Sequence, residues 1–314
     1  MLSYAIKRIG LSIIICIVAM IMLFVMIRAI PGDPATIMLG ARATPEAVAR
    51  ISAEMGLDKP VWQQIGIWFG NLASGNLGTD VWSKRPIADI VLEALPATLA
   101  LAFAGLGWAV LVGVPLGCYS ALRPNSLLDK ITSVLSVGAI SIPPFVLAIF
   151  ALVAFAVKLG WFPVLGGGDA GDVSDQIWHL ILPAFAIGLG WVGYLARLVR
   201  GSMIEELAEN HVRTARAMGL PEWKIILHYA LRLAIIPTVT LLGISIGSLL
   251  SSAVLIENVF SRPGLGTLIA NAASARNFPI VQGGVFASVV LFVIATPISD
   301  LMVAWLDPRV RDAL

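Results

Sequence analysis

Six apolar runs, at roughly 9–30, 97–121, 131–159, 178–199, 233–256 and 282–306, constrain this chain more than anything else in it. Each supplies the about 20 residues that a helix rising about 1.5 Å per residue needs to cross a hydrocarbon core about 30 Å thick. A soluble globule is excluded, because 58% of the residues are hydrophobic and only 13% are charged, which leaves too little polar surface to cover one. Unpaired backbone groups are costly in lipid, and none of the runs alternates as a barrel strand does. The expected fold is an all-α membrane protein with six transmembrane helices. A cleaved signal peptide is the competing reading of the first run. The run is longer than the about 7–15 apolar residues of such signals, and Ala41-Arg42-Ala43 lies too far beyond it to be the cleavage site.

Basic residues beside the runs set an expected orientation, since Lys and Arg in short loops stay cytoplasmic. Lys7 and Arg8, Arg123 and Lys130, the group from Arg197 to Arg232, and Arg309 with Arg311 all fall on one side. Both termini are therefore expected in the cytoplasm. Asp169, Asp172 and Asp175 fall on the other side, with the long segment 31–96, whose length exempts its own basic residues from the rule. The expected division is 1–30 as the N-terminus and first span, 31–96 as an extracytoplasmic segment, and 97–314 as the transmembrane domain with a cytoplasmic loop at 200–232.

Segment 31–96 carries folding signals of its own. Thr44 can cap a helix with Pro45 at its first position, closed by Gly56. A second amphipathic stretch, 61–72, presents Trp62, Trp68 and Phe69. Two readings stand for these aromatics: anchorage at the headgroups, or a role in covering the pore mouth or meeting a delivery protein.

Within the spans, Gly113 and Gly117 are four apart, as are Gly243, Gly247 and Ser251, a spacing that lets a neighbouring backbone approach closely. Ser245, Ser248 and Ser252 lie on another face of the fifth span, with Glu257 one turn beyond. Such serines either bond their own helix's carbonyls or line a hydrated path; Ser141, in the third span, is a further path candidate. Pro115, Pro143, Pro144, Pro183 and Pro297 permit kinks. Asp300 is an acidic residue well inside a span, open to a packing or interfacial role or to a proton relay. Cys16 and Cys118 sit on different spans and read as packing residues. His179, His211 and His228 are too scattered to bind metal, and no catalytic constellation emerges, so no metal or enzymatic chemistry is expected.

The polar insert 201–237, GSMIEELAENHVRTARAMGLPEWKIILHYALRLAIIP, lies between two spans. Glu205, Glu206 and Glu209 are expected early in its helix and Arg213 and Arg216 late, matching the helix dipole, with Glu209 and Arg213 as an i,i+4 pair. Gly219 can close the helix in the left-handed conformation and Pro221 can begin the next. Ala215 and Ala217 leave room for close approach, while Val212, Met218 and Leu220 offer an apolar contact to a groove. A solvated amphipathic linker is the alternative.

HVRTARAMGL followed by HYALRLAIIP closely resembles the cytoplasmic loop of permease subunits in the peptide/nickel branch of bacterial ATP-binding-cassette importers. The resemblance extends along the chain, through Pro31-Gly32-Asp33-Pro34, Leu95-Pro96-Ala97-Thr98-Leu99, Ser141-Ile142-Pro143, His179-Leu180-Ile181-Leu182-Pro183, the stretch from Glu257 to Gly266, and Asp307-Pro308-Arg309. Where many members have Arg-Asp before an aromatic residue and a proline, this chain has Arg276-Asn277-Phe278-Pro279. The resemblance implies the type I importer permease fold and a coupling helix formed by Glu209, Arg213, Thr214, Ala215, Arg216, Ala217, Gly219 and Leu220. It also implies a second homologous permease, two ATPase subunits or domains that bind ATP and magnesium, and a periplasmic or lipid-anchored binding protein. No cofactor is expected on this chain, which has no G-x-x-x-x-G-K-[ST] phosphate loop. Di- or oligopeptides are the implied cargo. Nickel chelates, glutathione, opines and oligosaccharides are alternatives within the family, and an ATP-independent channel or carrier is the alternative outside it.

Overall fold

The computed structural model describes residues 2–29, 32–40 and 43–306. The helices, in chain order, are α1 (Leu2–Ala29), α2 (Pro34–Leu39), α3 (Pro45–Glu54), α4 (Val61–Ala73), α5 (Ile87–Leu122), α6 (Leu127–Ser141) and α7 (Pro144–Ala151), which continues as a π-helical stretch, Leu152–Lys158. They go on as α8 (Val173–Ala208), α9 (Asn210–Ala217), α10 (Glu222–Lys224), a second π-helical stretch at Ile225–Ala230, α11 (Leu231–Ala234), α12 (Ile236–Val259), α13 (Leu265–Ser274) and α14 (Phe278–Leu306). Among the described residues there is no β-strand, only an isolated bridge between Thr79 and Pro86.

Among the described residues, three helices are long and apolar enough to cross a membrane, and the number rises to five if each of two bent pairs is one span. The sequence reads six. The third run breaks by 105° between α6 and α7, where Ile142 is extended (ψ 126°) ahead of Pro143. A proline disfavours helical backbone in the residue before it, and Pro143-Pro144 applies that rule twice. A gentler bend of 44° precedes Ile236, where Pro237 sits in the first turn of α12 and cannot donate to the preceding turn. Pro183 and Pro297 instead remain inside continuous helices, α8 and α14.

The chain forms two compact units. The first comprises Leu99–Arg262 and the described residues from Ala295 onward. Its centre is α8, against which α6, α7 and α12 pack, with Leu101, Ile187, Leu249, Ile256 and Phe260 in one buried cluster. Small residues permit these contacts. A Cβ on Gly117 would come within 2.6 Å of the Ala196 carbonyl oxygen, and one on Gly113 within 2.9 Å of that of Val192. Gly188 likewise leaves room for the Trp108 indole, whose Nε1 donates to the Ala184 carbonyl at 2.8 Å.

The second unit comprises Leu2–Thr98 and Pro263–Ile294. Asp33 caps α2 and Thr44 caps α3, each accepting from a backbone N–H three residues on. Gly56 follows α3 with φ +64°, as its closing role requires. Ile87 and Val91 pack with Leu265, Ala272 and Ile280, and Thr98 Oγ1 accepts from the Leu265 N–H at 2.8 Å. Trp68 meets Phe24 and Phe286 edge to face. Asp80, buried, accepts from the Asn277 amide at 2.6 Å and from the Ser83 hydroxyl at 2.6 Å. Burial pushes the Asp80 carboxyl up, but the bonds from Ser83, Asn277 and the Trp82 N–H outweigh it and hold the group below the usual carboxylate range.

Candidate functional site

The polar insert folds differently from the expected single helix. Met203 and Val199 keep α8 anchored in the core, so the helix runs on to Ala208 and carries Glu205 and Glu206 in its last turns. These carboxylates therefore end α8 and do not open the coupling helix, which removes the dipole match expected for them. Glu209 breaks the chain with an extended backbone (ψ 153°), and α9 starts at Asn210. Gly219, at φ +75°, ends the element in the left-handed region.

This turn decides which face of α9 is available. Val212 is 0% exposed and Ala215 is 3% exposed, both packed with Val199, Met203 and Ile225. Leu220 leans on the same cluster. Val212 and Ala215 thus hold α9 to its own chain, and the expectation that they contact a partner is corrected. The free face consists of Arg213, Thr214, Arg216, Ala217, Met218 and Gly219. Met218 protrudes, at 75% exposed. Arg216 Nε donates to Glu222 Oε1 at 2.9 Å, bracing α9 against the first turn of α10. Thr214 Oγ1 donates back to the Asn210 carbonyl at 2.9 Å and adds no outward group.

Trp223 is exposed beside this face, with Lys224 next to it, a feature the sequence reading passed over. Its signal was available: a tryptophan in a polar stretch outside the spans. The surface therefore offers two apolar protrusions, Met218 and Trp223, and the cations Arg213 and Lys224 on short helices fixed by a buried core. Such a surface suits a groove with an acidic rim.

The candidate path residues differ in burial, Ser141 and Ser248 being exposed and Ser245 and Glu257 buried. Ser245 is buried and donates to the Leu241 carbonyl at 2.6 Å, Ser248 donates to that of Ser245 at 2.8 Å, and Ser141 to that of Val137 at 2.7 Å. Of the two readings of the serine row, these bonds follow the intrahelical one. Ser252 is partly buried and Glu257 is 0% exposed. Glu257 therefore faces no open path in this conformation. It lies near Arg262, whose Nη1 donates to the His179 carbonyl at 3.3 Å; burial pulls the Arg262 guanidinium down, and the charge of Glu257 opposes that pull. Gly247 accepts from the Ser251 hydroxyl at 3.1 Å, whereas the surroundings of Gly243 and the side chain of Asp300 lie outside the described residues. Cys16 and Cys118 are free thiols. Among the described residues, no three His, Cys, Asp or Glu side chains gather as a metal site.

The chain matches two family profiles: the binding-protein-dependent transport system inner membrane component over residues 113–312, and the N-terminal region of such membrane components over residues 1–102. It is 35% identical to the dipeptide transport system permease protein DppB of Alkalihalophilus pseudofirmus, over 99% of this chain and 100% of that protein. It is 38% identical to the probable D,D-dipeptide transport system permease protein DdpB of Escherichia coli, over 91% of each. The glutathione transport system permease protein GsiC of Shigella flexneri is 32% identical over 99% of both. Among solved structures, an inward-facing conformation of the MetNI methionine ABC transporter superposes with a TM-score of 0.55 at 19% identity, covering 69% of this chain and 96% of that one.

Proposed function

We propose, for a chain that belongs to the family of binding-protein-dependent transport system inner membrane components, that it is the permease subunit of an ATP-driven importer of di- and oligopeptides. It is a membrane subunit and not an enzyme. The observation that carries the coupling role is the outward face of α9, where Met218 and Arg213 stand clear of a core that fixes the helix. An ATPase subunit docks there, and the rigid seat passes its closure into α8, whose Val199 and Met203 share that core. The membrane segments then alternate between inward and outward access around cargo handed over by a binding protein. ATP and magnesium reside on the partner chains, and a second homologous permease completes the path. Six spans, cytoplasmic termini and an outward-facing segment 31–96 complete the reading.

Peptides are favoured over nickel chelates, opines and oligosaccharides because relatives named for dipeptides match 99% and 91% of this chain, and a relative named for glutathione keeps that cargo as the alternative. A transporter must release what it carries, so the binding protein sets the choice of ligand. The test is labelling of a cysteine at position 213 in sealed cells, together with copurification of the ATPase. Protection from an impermeant reagent outside, with ATPase retained on the chain, supports the reading. Labelling from outside contradicts both the orientation and the coupling role.

A further inference from the structure

The second unit holds a cavity of about 300 Å³ that none of the roles above uses. It lies within that unit, between the end of α1, α3, α4, the 77–84 loop and the start of α14. Its volume is at the lower end of the about 300–1,000 Å³ typical of small-molecule sites. Three kinds of group line it. Phe24, Trp68 and Phe278 supply an aromatic wall. Asn71, exposed, and Gln282, half-buried, also line it, and the side-chain amide of neither is hydrogen-bonded among the described residues. Glu54 and Lys84 stand at its edge as an ion pair, 3.1 Å apart.

Those three features define a ligand. Both partners of the Glu54–Lys84 pair are well exposed, so their mutual attraction is screened and contributes little to the fold. A ligand with a cationic and an anionic end can replace each partner by its own group without leaving a charge unpaired. The free amides can then bond a polar linkage between those ends, and the aromatic wall takes an apolar group. We propose that this cavity is a binding site for a small zwitterion bearing an apolar group. A free dipeptide with an apolar side chain and an ethanolamine phospholipid, whose apolar group is its acyl chain, share that chemistry. The site goes beyond the proposed function: it requires neither ATP nor the coupling surface.

The full chain in nanodiscs of phosphatidylcholine is the material for the test, with radiolabelled alanyl-phenylalanine as probe and equilibrium dialysis as readout. The variants are Lys84→Met and Glu54→Gln, both at exposed positions, and Gln282→Leu. The expected result is saturable binding, weakened at least tenfold in each rim variant and in Gln282→Leu, with hydrogen-exchange protection at 64–71 and 278–282. In a second arm, lysophosphatidylethanolamine competes with the peptide. Binding of that probe alone, lost in the same variants, assigns the site to lipid. Absence of binding by either probe, or binding that all three variants leave unchanged, overturns the proposal. ATP-driven peptide uptake by the assembled wild-type transporter, measured in parallel, reports on the proposed function separately.

Discussion

Arg200 grips the Asp129 carboxylate with two nitrogens, Nε to Oδ1 at 2.7 Å and Nη2 to Oδ2 at 3.1 Å, and so ties α8 to the first turn of α6. The Asn125 N–H closes on the same carboxylate at 2.9 Å. Asp129→Ala leaves the guanidinium and that N–H without their acceptor and is expected to cost about 2 kcal/mol. Arg200→Lys keeps the charge but loses the fork, and a smaller loss is expected. Thermal unfolding in detergent checks both, and unchanged midpoints would mean that the pair contributes nothing.

Ala215 and Ala217 separate folding from docking. Ala215 is buried against Val199 and Ile225, so Ala215→Leu overpacks that core and is expected to destabilise the chain by about 1–3 kcal/mol. Ala217 lies on the free face, so Ala217→Leu is expected to leave the unfolding midpoint unchanged while reducing the ATPase recovered with the permease. Equal recovery in wild type and Ala217→Leu would remove this face from the docking surface.

A similar contrast holds along α5. Gly117→Ala drives a methyl into the Ala196 carbonyl and the Val199 side chain, whereas a Cβ at Gly107 has nothing within 4 Å. Gly117→Ala is expected to lower stability by about 1–3 kcal/mol and Gly107→Ala to leave it level or slightly raised. Thermal unfolding of the two variants side by side is the measurement.

Asp80 supplies a pH dependence with a definite sign. Its carboxyl is held below the usual carboxylate range in the folded chain, so its contribution is complete above about pH 4, the ordinary value. That contribution is lost as pH falls through the lower, folded value. Hydrogen exchange at the Trp82 and Ser83 amides, which donate to Asp80, should lose protection in that acid window. Asp80→Asn should abolish the dependence. Asn277→Asp places a second carboxylate against the first and is expected to be more destabilising at pH 7 than at pH 4.

The local features could be read from the sequence because their causes are local. Thr44 and Pro45 begin a helix by capping chemistry that lies within a few residues, and the structure starts α3 there. Pro143-Pro144 marks a break, although its 105° size is not set by those two residues' identities alone. The orientation of α9 was not legible in the same way. Val212 and Ala215 make the same apolar stripe whether they face a partner or their own core, and only the turn at Glu209 and the continuation of α8 decide between them. The Asp80–Asn277 bond joins residues 197 apart, and no spacing rule could have paired them. The cavity beside Trp68 draws on segments from α1 to the start of α14, and no spacing rule could have joined them.

The central claim is that ATP-driven movement of peptide depends on the free face of α9. The most direct measurement is uptake of labelled dipeptide into vesicles holding the complete assembly, with ATP at the cytoplasmic face and either wild-type chain or Ala217→Trp. The account predicts ATP-dependent uptake with the wild type and its loss, by tenfold or more, with a stably folded Ala217→Trp chain. Uptake that proceeds without ATP, or that survives Ala217→Trp undiminished, would contradict it.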